Sequence, residues 1–417
     1  MPGDDDGFDD RLNAAKEQAK VHRPRPRPRA NGGGASPDWL SRCHVSANGN
    51  PLANLFNACL ALRADPLWAG RLRFDEMRRA SVLDRTLVDD LILARLQEWM
   101  QDHGLRRMGQ ESVRDAVEIV AHEHAFHPLR TWLEALEWDG EPRIAGWLAR
   151  HLGCRDDDYH ASIGAWFLTS MVARVTRPGC KADYMLVLEG PQGILKSSVC
   201  AVLGGAYYSD ALPDLGTDHV RVSMHLRGKW VIEVPELSAF SRAEATRLKA
   251  FLTQTEEQYT AKFARREAAE KRQCVFIATT NDSGYIKDET GGRRFWPVKC
   301  GEIGLAGLRA ARDQLFAEAM AAFRDGARWW PDRAFEQSVI EPQQATRQWS
   351  DAWEEPIGVY LARKSRVTMM DVALDALGME KARVNVLDQR RIASVLRALG
   401  WNDRKGTGGT RIWEPKR

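Results

Sequence analysis

The stretch YMLVLEGPQGILKSSVC, residues 184–200, decides how the rest of the chain is read. Tyr184 to Leu188 is a short apolar run of the kind that forms a buried strand. Gly190 and Gly193 follow, and Lys196 and Ser197 then open a segment that continues as a helix. A strand that turns through glycines into a helix aims successive backbone N–H groups at one point, at the positive end of the helix dipole. That point suits phosphate. Lys196 is placed to reach the β and γ phosphates of a nucleoside triphosphate, and the Ser197 hydroxyl to join a Mg²⁺ shell. Gly190, Pro191, Gln192, Gly193, Ile194, Leu195, Lys196, Ser197 and Ser198 are therefore the candidate nucleotide-binding residues, with ATP and Mg²⁺ as the expected ligands. The plainer reading is a strand–turn–helix with an incidental lysine. One residue departs from the pattern G-x-x-x-x-G-K-[ST]: Leu195 stands where glycine is wanted, and its side chain crowds the turn or strains the backbone.

Working outward, two more apolar runs end in polar residues. Trp230-Val231-Ile232 is closed by Glu233, and Cys274 to Ala278 runs into Thr279-Thr280-Asn281. In open parallel sheets the carboxyl ends of the strands are where ligands bind. A nucleoside triphosphatase needs acids near its metal, a polar group near the γ-phosphate and cations for developing charge. Glu233 is a candidate metal residue and Glu236 a candidate to polarise water, but no adjacent acidic pair fixes which does which. Asn281 is placed to orient that water. Arg293 and Arg294, after a glycine turn, form a candidate arginine finger aimed at a neighbouring subunit. Each taken alone has a dull reading as a solvated glutamate, an Asx-turn or a surface ion pair.

Between the second and third strands lies a basic, aromatic stretch. There Lys262 and Arg265 could track phosphates while Phe263 or Tyr259 stacks on bases; an exposed hairpin without ligand is equally compatible. Near the C-terminus, Thr368 to Asp371 is a capping-box-like helix start. Asp388 reads as the cap of a second helix whose Ile392, Val395, Leu396 and Leu399 form a buried stripe. Arg390, Ser394 and Arg397 share its other face. A basic, glycine-rich turn between short strands follows, and that order is the order of a winged helix.

The chain has 417 residues, which at roughly 150 per domain suggests about three domains. Lys and Arg total 60 against 57 Asp and Glu, so nucleic-acid contact must use local patches rather than a blanket of positive charge. Seven scattered cysteines without C-x-x-C argue against a disulfide framework or cysteine–zinc site and fit a reducing, cytoplasmic compartment. The acidic start has no apolar core and reads as no secretory signal. Ala161 to Val175 is too short to span a bilayer. Residues 1–37 read as a disordered tail in which Arg23, Arg25, Arg27 and Arg29 alternate with prolines; a solvated tail and a phosphate-neutralising arm are both compatible with it. The region from Trp39 to about Gly153 reads as helical, with helices expected over Asn54–Arg63 and Asp84–His103, the latter capped by Asp84. His122, His124 and His127 miss the H-E-x-x-H spacing and read as partly exposed surface histidines.

These motifs together resemble the virulence-associated protein E (VapE/VirE) family of phages and mobile elements. The runs that carry the resemblance are FHPLRTWLEALEWDGEPRI, RPGCKADYMLVLEGPQG, WVIEVPEL, FIATTND, ETGGRRFWPV and RDQLFAEAM. The resemblance implies a P-loop ATPase core similar to superfamily three replicative helicases, an AAA+-like group that forms rings. It implies that Lys196 and Ser197 match the Walker A pair, Glu233 or Glu236 the Walker B acid, Asn281 the sensor, and Arg293 or Arg294 the arginine finger. Many relatives carry an N-terminal primase. The tail and the helical region leave no room for one here, so primer synthesis is not expected and a primase would be a separate partner.

The expected architecture is multidomain α/β. A tail (1–37) precedes a helical collar region (38–180), a P-loop AAA+-like domain with a parallel sheet (181–335) and a winged-helix-like module (350–417). The expected function is an oligomeric, hexameric DNA-dependent ATPase that moves single-stranded DNA, with duplex DNA as a further partner and no membrane. Two other classes stay open: a nucleotide-dependent initiator or loader with slow hydrolysis, and a regulatory or structural protein with a degenerate loop.

Overall fold

The computed structural model describes residues 37–260, 267–286, 292–348, 352–405 and 411–416. The arginine–proline arm and Lys262, Phe263 and Arg265 lie outside the described residues.

The N-terminal region is not purely helical. Helix α1 (Leu55–Ala64), capped by Asn54, is followed by an antiparallel sheet of β1 (Leu72–Asp75), β2 (Ala80–Leu83) and β3 (Thr86–Leu87). Helices α2 (Asp90–Asp102) and α3 (Gln110–Glu123) close this unit over a core that includes Leu62, Leu72, Leu96 and Val117. These strands are too short to show a period, and their turns place Arg79 and Asp84, not glycine, at positive φ (52° and 58°). Asp84 therefore turns the sheet rather than capping a helix. Asp89 is the cap of α2, accepting from the Ile92 N–H at 2.8 Å. Nor is His127 a surface histidine. It is buried, 4% exposed, and its Nε2 meets the Gln273 side chain. Among the described residues no group of three or more His, Cys, Asp and Glu side chains is placed to hold a metal ion.

Helix α4 (Asp158–Thr176) is buried on nearly every side and leads into the central sheet. Its strands are β4 (Met185–Glu189), β5 (Tyr208–Ser209), β6 (Val231–Val234), β9 (Val275–Thr280) and β10 (Phe295–Lys299). They lie in the order β10-β4-β9-β6-β5, and every pair is parallel. β4, β6 and β9 are buried at every residue, as central strands covered on both faces must be. One face, with Leu186, Leu188 and Ile277, packs on α4, α5 (Lys196–Gly204) and α8 (Leu305–Arg324). The other, with Met185, Val187 and Phe276, packs on α6 (His219–Leu226) and α7 (Arg242–Leu252). Alternating side chains thus feed two separate cores. β7 (Glu256–Tyr259) and β8 (Ala268–Lys271) form a hairpin at the side of this layer.

The edge strands were the ones hidden in the sequence. β5 has two residues, and β10 contains Pro297, which lacks a donor and is tolerated because β10 is an edge. Among the described residues no helix is long and apolar enough to cross a membrane.

The last unit holds β11 (Val367–Thr368), helix α9 (Val386–Ala398), β12 (Trp401–Lys405) and β13 (Arg411–Pro415), the strands ordered β11-β13-β12 and antiparallel. Thr368 and Asp371 form the capping box. Asp388 is not a cap. Asn385 accepts from the Leu387 and Asp388 N–H groups, and Asp388 returns a bond to the Asn385 N–H, the reciprocal geometry of a capping box. Ile392, Val395 and Leu396 are buried with Trp401 and Trp413.

Candidate functional site

The loop after β4 begins at Gly190, where φ is 150° and a Cβ would lie 2.6 Å from Ile194 Cδ1. The end of the Ile194 side chain could swing aside, so it is the positive φ that calls for glycine here. Gly193 takes a left-handed φ of 85°. Leu195, the residue before α5, is also left-handed, with φ 73° and ψ 23°. Of the two outcomes foreseen at Leu195, crowding or strain, the backbone shows strain, at a cost of about 1 kcal/mol for a non-glycine residue. Its side chain remains half exposed at the mouth of the cleft.

α5 starts at Lys196, and its ammonium folds back into the loop. Nζ donates to the carbonyls of Gly190 (2.6 Å) and Pro191 (2.7 Å), and to Asn281 Oδ1 at 3.0 Å. Burial lowers the Lys196 pKa, while Cys300 and Glu233 oppose that shift. The next residue reaches across to β6: Ser197 Oγ donates to Glu233 Oε1 at 2.7 Å. Glu233 is 1% exposed and accepts two further hydroxyls, Thr279 Oγ1 on Oε1 at 2.7 Å and Tyr208 on Oε2. Burial first, and the bond to Glu233 second, drive the Tyr208 pKa far up, so the phenol stays a donor. Register explains the meeting: β6 and β9 pair Glu233 with Ile277, and β5 pairs Ser209 with Ile232, so all these side chains gather near one edge.

A cleft of about 320 Å³ opens between these elements. Its lining includes Gln192, Gly193, Leu195, Lys196, Ser197, Ser198, Glu233, Glu236 and Asn281. Glu236 sits at its rim with a left-handed φ of 50°. The loop, both glutamates and Asn281 are thus brought together. Gly190, Pro191 and Ile194 form the back of the loop.

Other expected residues lie elsewhere. Arg293 and Arg294 form a short turn with Gly292 just before β10. Phe295 pairs with Met185 and Lys299 with Glu189, so the two arginines stand at the opposite edge of the sheet from Lys196. That is a strand length, roughly 13 Å, away within one chain. Tyr259 is 3% exposed, with the Arg227 guanidinium 5.6 Å from its ring centroid. It is covered and not presented for stacking on bases. Arg390 and Arg397 are exposed on α9, the latter 5.3 Å from the Trp413 ring centroid.

Two residues that hold Glu233, Tyr208 and Thr279, were not singled out by the sequence. Thr279 is the polar end of an apolar strand, which is a signal of sorts. Tyr208 has none, since its partner is 25 residues away.

The sequence model of the virulence-associated protein E-like domain matches residues 133–348, a span that holds the whole parallel sheet and the cleft. No curated protein matches the chain. Among solved structures, an A-form apo structure of the NrS-1 C-terminal region is similar at a TM-score of 0.44 and 13% identity, covering 83% of this chain and 96% of that one. A second apo structure of that region gives 0.40 and 14%, with the same coverage.

Proposed function

The chain belongs to the virulence-associated protein E-like family, and from that premise we propose that it is an ATP-driven DNA translocase, a ring-forming helicase serving replication of a phage or mobile element. The observation that carries this reading is the convergence of Lys196, Ser197, Glu233 and Asn281 in one cleft. On this reading residues 181–335 are a P-loop core of the AAA+-like kind, and 350–417 a winged helix for duplex DNA or a partner protein.

The donor set fits Mg²⁺, because Ser197 and Glu233 offer hard oxygens side by side at the end of the loop. Bound there, the ion would neutralise charge on the β and γ oxygens of ATP. Lys196 exchanges its carbonyl partners for phosphate oxygens, guided by a loop that already curves around its ammonium. Tyr208 and Thr279 keep Glu233 in place when Ser197 turns away from it. Glu233, buried and tied to Ser197, takes the metal side. Glu236, exposed at the rim, takes the water side with Asn281. Arg293 and Arg294 serve the neighbouring copy, since within their own chain they stand at the opposite end of β10 from the cleft. Single-stranded DNA would be tracked by Lys262 and Arg265, and duplex by Arg390 and Arg397.

The left-handed Leu195 favours a second reading, a nucleotide-dependent loader or initiator with slow hydrolysis. Steady-state ATP turnover of the full chain, titrated with single-stranded and duplex DNA alongside native mass, separates the two. DNA-stimulated turnover by a ring supports the motor. A ring that binds ATP without stimulated turnover supports the loader, and a monomer that binds no nucleotide overturns both.

A further inference from the structure

Glu189 is the last residue of β4, immediately before the loop, and it is held by more contacts than a strand end requires. Its carbonyl accepts from the Cys300 N–H at 2.9 Å. Its carboxylate accepts Arg347 Nε on Oε1 (2.9 Å) and Arg347 Nη2 on Oε2 (3.1 Å), a bidentate pair, and Tyr285 donates to Oε1 at 2.8 Å. The two side chains are only 6% and 14% exposed. Arg347 Nη1 is engaged as well, by the Gln343 carbonyl and side chain at 3.0 Å each. Such a fork is geometrically specific, and lysine cannot reproduce it.

The segment bearing Arg347 also reaches the other edge of the sheet. Gln344 Nε2 donates to the Phe295 carbonyl at 2.8 Å, the residue directly after Arg294. The Arg347 carbonyl accepts from the Ile286 N–H, in the stretch that leaves β9 toward that arginine turn. Residues 343–347 therefore form a strap across β10, with one end on the start of the loop and the other on the base of the Arg293–Arg294 turn.

We propose that Arg347 is a positioning residue that links the state of the phosphate loop to the arginine turn at the opposite edge. Resting on the nucleotide-motor reading above, this gives ATP binding in one copy a route to the finger that serves the next. A loop that closes on phosphate shifts Glu189, Glu189 pulls the fork, and the strap moves the turn. Packed straps of this kind have discrete arrangements rather than continuous give.

The test uses the full chain with Arg347→Gln and Arg347→Lys, read by calorimetry with AMP-PNP and Mg²⁺, by hydrogen exchange over residues 292–300, and by the Hill coefficient of ATP turnover. In the parent protein AMP-PNP should protect 292–300 from exchange. Both variants should bind AMP-PNP within about twofold of the parent, yet lose that protection and the cooperativity. Protection that persists in Arg347→Gln overturns the link. So does loss of nucleotide binding and folding together in both variants, which makes Arg347 merely structural. A parent protein that binds no AMP-PNP fails at the earlier step and sinks the nucleotide reading itself.

Discussion

Ser197 and Glu233 are joined by a 2.7 Å hydrogen bond across the gap between helix α5 and strand β6. They come from segments 36 residues apart, and the bond places a hydroxyl and a carboxylate together at the mouth of the loop. Glu233→Gln keeps the shape but offers one anionic oxygen fewer. Turnover should fall at least about 100-fold, as for loss of a group acting on transition-state charge. Binding of ADP without metal, followed by calorimetry, should change little; loss of that binding too would show that Glu233 shapes the loop rather than the chemistry.

Lys196→Ala removes the ammonium that three oxygens surround. ATP turnover should be abolished while far-UV circular dichroism is retained. The Gly190 and Pro191 carbonyls then need water, a cost of about 1 kcal/mol. Turnover near the parent rate would remove Lys196 from the phosphate site.

Tyr208→Phe deletes one donor to Glu233 and leaves the ring in place. Loss of such a supporting bond typically costs about 10-fold or more in metal affinity. The Mg²⁺ concentration for half-maximal turnover should rise accordingly, with KM for ATP at saturating Mg²⁺ unchanged. A fall in kcat with no shift in the Mg²⁺ curve would point to repacking of β5 instead.

Leu195→Gly restores the residue that a left-handed turn prefers. Relief of about 1 kcal/mol of backbone strain is offset by the greater freedom of glycine in the unfolded chain. Thermal stability should therefore barely move, while turnover rises if strain at this turn limits the closing of the loop. Unchanged turnover with tighter ATP binding favours the loader.

Acid should weaken the fold through His127. Burial lowers its pKa below the usual 6.5, the bond to Gln273 only partly opposing this. Protons then bind the unfolded chain more readily than the folded one. Stability linked to the neutral ring is complete above about pH 6.5 and is lost as pH falls through that value toward the folded pKa. His127→Asn keeps an N-cap acceptor for the Arg130 N–H but cannot titrate. The decline of Tm between pH 7 and 5 should become shallower, though His151 and His225, also lowered by burial, retain part of it. An unaltered slope would acquit His127.

What could be read from residues alone divides along physical lines. β4, β6 and β9 were legible because each is an apolar run with polar punctuation at its end. The loop was legible because glycine, lysine and serine sit within a few residues of one another. β10 was hidden by Pro297, whose tolerance depends on an edge position that only the assembled sheet reveals. The strands before α2 were hidden because Arg79 and Asp84 turn them without glycine. Tyr208 and Arg347 could not be read at all, since their partners lie 25 and 158 residues away and no local rule speaks of such pairs.

The two margins of the parallel sheet have a further consequence. On one side, Pro297 withholds an amide hydrogen from β10; on the other, β5 ends after two residues. Neither margin offers an incoming strand a usable ladder, which protects the protein from strand-by-strand extension of the sheet by another chain. On the nucleotide-motor reading proposed above, copies in a ring would therefore meet through side chains and loops, contacts able to open and close again.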